Sequence, residues 1–304
     1  MNGITVYFVL FIVLFLFLNY NYYQQKKRDF IEERKKEELH LEDFFYCSDT
    51  LSRSKRRKIW VYIPLEKNSR QWISFGSRTS TQMNLSLMNL CIKSIIDWCS
   101  QTYDIVLFTD QDISEILKSK LDLSTFSGDV LEKQRELYIL EILYEYGGIL
   151  LPPTLYMRNN MKQQDVLDRW YVSDLYNNHN ESMATHLPSA VITGAPPKDP
   201  QLRNYIDYLA RDLKQEFTCN YFKTHSIFVL DGSVFGMKNK YNEPITLDDL
   251  MSNKKLKLPE YNVGLYMPYR ELLERNKYKW YCKMSEKQVL ETHCAFSYYM
   301  LDNS

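Results

Sequence analysis

The sequence has no surplus of charge: 38 Lys and Arg stand against 38 Asp and Glu. That excludes a bulk electrostatic partner such as nucleic acid, whose phosphates are bound through an excess of cations. Its six cysteines (Cys47, Cys91, Cys99, Cys219, Cys282, Cys294) contain no Cys-x-x-Cys and no His/Cys group at zinc spacing, so they read as buried thiols. Glycine is sparse, with 9 in the chain, and no Gly-rich phosphate loop of the GxGxxG or Walker type occurs. Internal repeats and low-complexity segments are missing too. His179 and His186 have no partner at ligand spacing.

What is present is a hydrophobic fraction of 45% over 304 residues. Once a terminal segment is set aside, that suits one domain of about 250 residues with a sizeable core. Residues 1–24 read as a membrane anchor, 25–54 as a charged stalk and 55–304 as the folded domain. The apolar run Ile4 to Leu18 is short for a bilayer, but Tyr20, Tyr22 and Tyr23 extend it as an interfacial belt to residue 23. It has neither a basic start nor a small-residue cleavage site, which favours an uncleaved single-pass anchor. Lys26-Lys27-Arg28 follow the run and no basic side chain precedes it, so the positive-inside rule puts the domain on the cytosolic side. The sequons Asn84-Leu-Ser86 and Asn180-Glu-Ser182 are reporters of the opposite orientation.

The domain is organised around Asp129 to Thr154. Asp129 is a candidate N-cap with Glu132 completing a capping box. Tyr138, Ile139, Ile142, Leu143 and Tyr146 recur at helical spacing. Arg135 lies on the same stripe, one turn before Ile139. Its guanidinium either faces a ligand or pairs with Glu132 or Glu136. Gly147-Gly148 ends the helix, and Ile149-Leu150-Leu151 is a buried strand stopped by Pro152-Pro153.

Around this stretch, Ile59–Ile63 and Ile105–Phe108 read as the neighbouring strands, with an amphipathic helix from Leu85 to Cys99 between them. The polar segment Leu65 to Met83 follows the first strand and carries Arg70, Trp72 and Arg78. In an α/β sheet that loop lies at the carboxyl edge where ligands bind. Its arginines and tryptophan suit the phosphates and base of a nucleotide, the alternative being an ordinary surface loop. Asp110, at the end of the second strand, either touches a ribose or base or forms a turn. Asp112 reads as the cap of a short helix. Further strands are expected at Trp170–Ser173, Ala190–Thr193 and Gly264–Pro268. A helix from Pro200 to about Phe217 is capped by Asp199, and a hairpin is expected at Asp231-Gly232.

Leu143-Tyr144-x-Tyr146-Gly147-Gly148-Ile149 running into a short strand resembles the core of glycosyltransferase family 32. Those are GT-A enzymes related to yeast mannosyltransferases, capsular sugar transferases and large glucosylating toxins. From about Lys58 to Leu301 the chain also resembles glycosyltransferase-like proteins of large DNA viruses. The resemblance implies an α/β fold of GT-A type, a three-layer α/β/α domain of the nucleotide-diphospho-sugar transferase kind. It further implies a nucleotide-sugar donor and a glycan or protein acceptor. In the family a strand-end Asp-x-Asp holds a divalent ion; the matching positions are Pro152, Pro153 and Thr154, so that metal site is degenerate. Glu136 stands at the family's helix Asp position and Ile139 at its Arg position, with Arg135 one turn earlier. Thr154 joins Arg70, Trp72, Arg78, Asp110 and Arg135 as donor-side candidates, and Asp231 is the acceptor-side candidate. His293 and Asp302 lie where GT-A enzymes often supply another metal contact.

Sugar transfer from a nucleotide diphosphate develops negative charge on the leaving phosphates, which a metal or fixed cations must offset. Without the Asp-x-Asp, that cation is arginine or lysine, and no catalytic base is identifiable. Three readings follow: a glycosyltransferase working without the usual metal site, a catalytically inactive domain that still binds a nucleotide sugar or glycan, and a structural membrane protein reusing the fold.

Overall fold

The computed structural model describes residues 56–64, 86–161, 168–177, 185–211 and 218–301, with isolated positions between 15 and 51. It divides into two compact units, Met1–Phe45 and Tyr46–Ser304. Most of the expected anchor lies outside the described residues, as do the loop bearing Arg70, Trp72 and Arg78, and also Asn84, His179, Asn180 and Asp302. Among the described residues no helix is long and apolar enough to cross a membrane.

The larger unit is built on a six-stranded sheet. Strands β1 (Lys58–Tyr62), β2 (Asp104–Phe108) and β3 (Gly148–Leu151) lie side by side in the order β2-β1-β3, all parallel. The three expected strands are therefore neighbours. Their residues alternate between two buried faces, as a period of two requires. Trp60, Val106 and Phe108 enter one core cluster, while Ile59, Val61, Ile105 and Leu107 are buried on the alternate positions. Burial on both faces is what a parallel sheet demands and why these strands read as continuous apolar runs.

The connections set the layers. Helix α1 (Ser86–Cys99) links β1 to β2; α2 (Asp110–Ile116) and α3 (Gly128–Tyr146) return the chain across β1 to β3. Right-handed crossovers in opposite directions place these helices on opposite faces. Beyond β3 the sheet turns mixed. β6 (Thr185–Ala195) pairs antiparallel with β3, and β5 (Tyr171–Asn177) pairs antiparallel with β6. β7 (Phe228–Leu230) is parallel to β5. A second, two-stranded sheet joins β4 (Leu155–Met157) to β8 (Gly264–Tyr266). Helix α4 (Pro200–Arg211) packs beside α3 in the main core, with Asp199 capping it through the N–H groups of Gln201 and Leu202 at 2.8 and 3.0 Å. Short helices α5 (Thr218–Thr224), α6 (Leu247–Leu250), α7 (Tyr269–Glu274), α8 (Glu286–Glu291) and α9 (Ala295–Leu301) complete the described chain.

Several expectations are corrected. Ser127, not Asp129, occupies the N-cap of α3, and the Asp129/Glu132 box does not form; Asp129 lies in the first turn, where its charge meets the positive end of the helix dipole. The buried stripe of α3 includes Leu137 and Leu140, because the helix is wedged between the sheet and α4. Asp112 is not the cap of α2 but its third residue, accepting from the N–H and hydroxyl of Thr109, both at 2.8 Å. The Asp231-Gly232 hairpin is absent. The Gly232 N–H turns to Asp174 and Asp231 accepts from Ser233 N–H at 3.0 Å, so the chain leaves β7 in a 3-10 turn, Gly232–Phe235. Cys91, Cys99 and Cys294 are buried, but Cys47 is exposed and Cys282 half-buried; no disulfide joins these five. Burial pushes the Cys99 thiol up to about 11.

Gly147 and Gly148 are demanded by contact as well as by conformation. Gly147 has φ 65° and caps α3 through its N–H to Leu143 O at 2.8 Å. Gly148 has φ 111°, and a Cβ there would sit 2.3 Å from the carbonyl oxygen of Lys58 on β1. Gly148→Ala therefore combines an unfavourable dihedral with a backbone clash inside the sheet. A loss of at least about 3 kcal/mol is expected in urea denaturation, against about 1–2 kcal/mol for alanine at Gly128, whose φ of 58° is also left-handed but where nothing lies within 4 Å of the added Cβ.

Candidate functional site

The chain passes from β1 leftward to β2 and then back to β3 on the other side of β1. The crevice outside the carboxyl ends at such a reversal is where open α/β sheets bind ligands. The register puts Tyr62 opposite Phe108 and Val61 opposite Leu151, so Tyr62, Asp110 and Pro152 all lie along this edge.

Asp110, Arg135 and Tyr62, from β2–α2, α3 and β1, meet there. Arg135 donates from Nε to Asp110 Oδ1 and Oδ2 at 3.1 and 3.2 Å and from Nη2 to Oδ2 at 2.6 Å. Its Nη1 bonds Glu132 Oε1 at 2.6 Å, and the Tyr62 hydroxyl donates to Asp110 Oδ1 at 2.6 Å. Burial works against the Arg135 charge, but the bonds to Asp110 outweigh it with the help of Tyr62 and Glu132, and the guanidinium is held above its ordinary range. Burial, then the Asp110 carboxylate, push the Tyr62 phenol well above its usual value. Both candidates are thus brought together, and Arg135 pairs with Glu132 as well. Asp110 bonds the guanidinium side-on, while the more exposed Glu132 takes the Nη1 end.

Thr154 is almost wholly buried, and its hydroxyl donates to Met267 O at 2.7 Å. It ties the chain after β3 to the end of β8 rather than facing the crevice. Prolines at 152 and 153 have no ligand atom in their side chains. Among the described residues, no three His, Cys, Asp or Glu side chains are grouped so as to hold a metal ion. The residues at the strand end do not fit the divalent site that the family resemblance implies. His293 bonds Tyr298 through Nδ1 at 3.2 Å.

A second charged cluster occupies the same edge farther along the sheet. β5 and β7 run in the direction of β3, so their carboxyl ends point the same way. Asp174 on β5 accepts from the Lys238 ammonium and from the Gly232 N–H, and Lys238 also reaches Asp231 at 3.4 Å. Asp231 is half exposed, with side-chain exposure of 51%, whereas Lys238 and Asp174 are mostly buried. Burial opposes the Asp231 charge, but the Ser233 N–H and the Lys238 ammonium prevail and hold its carboxyl below the usual range. Burial likewise disfavours the Lys238 charge, and Asp174 and Asp231 reverse this and raise its pKa. Sequence reasoning misses Asp174, Lys238 and Tyr62. The one available signal is an acid shortly after an apolar run, which Asp174 shares with Asp110.

The sign of the pH dependence follows. Asp231 contributes stability above its unfolded pKa of about 3.9 and loses it as pH falls through the depressed folded value; Lys238 contributes below about 10.4 and loses it as pH rises through the raised one. Lys238→Gln strands Asp174, so stability at neutral pH is expected to fall by about 2–4 kcal/mol. Chemical denaturation across pH should then show a shallower acid limb and a diminished alkaline one.

No family model matches the chain, and none of the curated proteins does. Among solved structures, one named PaToxG Glycosyltransferase is similar at a TM-score of 0.32 and 8% identity, covering 63% of this chain and 75% of that one. The architecture of this chain is mixed α/β with a central mixed sheet.

Proposed function

We propose that the domain is of the GT-A type and binds a nucleotide sugar in the crevice outside β1 and β3, for transfer of the sugar to a glycan or protein acceptor. The observation that carries this reading is the reversal of strand order at β2-β1-β3 with a buttressed arginine at its carboxyl edge. In this reading Asp110 fixes one side of the Arg135 guanidinium, and the diphosphate displaces Glu132 from the other. A bidentate arginine matches phosphate geometry and never loses its proton. Charge on the leaving phosphates is then offset by Arg135 and by Arg70 and Arg78 of the preceding loop, with Trp72 against the base. Asp231, half exposed at the far end of the edge, is assigned to the acceptor side. The anchor over residues 4–23 holds the domain at a membrane on the cytosolic side in the same proposal; an endoglycosidase-sensitive mass shift at Asn84 or Asn180 in membrane preparations would reverse that orientation.

One observation favours a second reading, a catalytically inactive domain that binds the nucleotide sugar without turning it over. Arg135 is already neutralised by two carboxylates, and among the described residues no group of carboxylates, His or Cys stands in for the family's metal ligands.

Thermal shift and calorimetry with UDP, GDP, CMP and their sugars, with and without manganese, separate these readings. One nucleotide is expected to stabilise the protein, and EDTA to change its affinity little. Arg135→Ala should weaken binding about ten- to a hundredfold, with circular dichroism reporting the fold and Arg135→Lys as the milder control. Binding that survives Arg135→Ala but vanishes with EDTA would sink the assignment. Turnover by the wild type decides for the enzyme.

A further inference from the structure

A cavity of about 750 Å³ lies apart from the cluster of Arg135 and Asp110, against the C-terminal helix α9. Its walls come from the last turn of α1 (Trp98), the chain after β4 (Arg158, Asn159), the segment before β8 (Asn253, Glu260) and α9 (Tyr298). Asn160 Nδ2 donates to Thr102 Oγ1 at 2.8 Å, which sets this wall beside the turn leading into β2, at the amino end of that strand. We propose that the cavity binds an oligosaccharide.

The chemistry of the lining selects that class. Trp98 is 40% exposed, a large apolar side chain offered to solvent at the cavity mouth. An indole face takes the C–H face of a pyranose ring, since both are flat, apolar and rimmed by polar atoms. Asn159 and Asn253 are exposed; the Asn159 amide nitrogen donates to Asn262 O at 3.2 Å, while the Asn253 amide brings a group that donates and accepts at once and so matches hydroxyls that do the same. Arg158, Lys255 and Glu260 line the same cavity, so charged groups of both signs are at hand to hydrogen-bond hydroxyls as donors and acceptors. A wholly apolar ligand would displace water from the Asn253 amide without replacing its hydrogen bonds. The volume lies in the range of small-molecule sites.

The back wall is braced, as a site needs. Arg158 stacks 4.5 Å over the Tyr299 ring, and the Tyr299 hydroxyl donates to Asn262 Oδ1 at 2.7 Å. The Asn262 amide nitrogen in turn donates to the carbonyls of Ser233, Val234 and Gly264 at 3.1, 3.1 and 2.8 Å. This layer of the wall is therefore fixed by hydrogen bonds.

The full chain is titrated with short cello-, malto- and manno-oligosaccharides by calorimetry. At least one series is expected to bind, with affinity falling at least about tenfold in Trp98→Ala, recovering in Trp98→Phe, and falling again in Asn253→Ala. Arg135→Ala and saturating nucleotide diphosphate should leave that binding unchanged, so it is read separately from the nucleotide site. Absence of binding by all three series, binding indifferent to Trp98→Ala, or competition by the nucleotide would each overturn the proposal. Both test residues are solvent-facing, and circular dichroism of each variant confirms that lost binding is not lost fold.

Discussion

At Gly148 the backbone of β3 passes so close to the Lys58 carbonyl that only a hydrogen fits in place of a side chain. The rest of the domain depends on this approach. The glycine before it ends α3 and gives its carbonyl to the Trp60 indole N–H at 2.9 Å, binding helix, turn and first strand at one point. On the other side of that turn, a Cβ at Gly147 would meet Pro197 at 2.7 Å, so the segment between β6 and α4 is pressed against the same place. Three separate stretches of chain converge where side chains are excluded. From there the apolar residues of α3 fall onto Trp60, Val106 and Phe108, and α4 closes over them with Tyr205 against Trp170, ring centroids 5.2 Å apart.

That convergence also fixes what the carboxyl edge offers. With β3 held in register against β1, Pro152 follows at the level of Tyr62 and Asp110, flanked by one charged cluster around Arg135 and another around Lys238. In each, a mostly buried cation is held by a carboxylate, Asp110 just after β2 and Asp174 midway along β5. Such pairs contribute little net stability because desolvation offsets their attraction, but breaking one strands a charge. Their geometric effect is to aim cations along a sheet edge where β3 is followed by two prolines.

Much of this architecture is legible in the sequence, for physical reasons that differ by element. β1, β2 and β3 announce themselves as short apolar runs because both their faces are buried. The Gly147-Gly148 turn is legible because glycine tolerates what other residues do not. The cap by Asp199 is legible because its signal is local. By contrast, the fate of Asp231-Gly232 depends on Asp174, more than fifty residues upstream, and no local pattern discloses that. Asp110 and Arg135 can each be singled out, yet their meeting is a product of the crossover between β2 and α3. Thr154 shows the converse error: a residue at a suggestive position whose hydroxyl is consumed by Met267, 113 residues away.

The place of β3 in the sheet has a consequence for synthesis. Its partner on one side, β1, precedes it in the chain, but its partner on the other, β6, is completed only at Ala195. While the ribosome makes the intervening residues, Gly148–Leu151 is an open, apolar sheet edge, the kind that recruits other chains. The two prolines that stop β3 after Leu151 keep that edge to four residues. Short length is a recognised protection for an edge strand, and here it guards a half-made molecule.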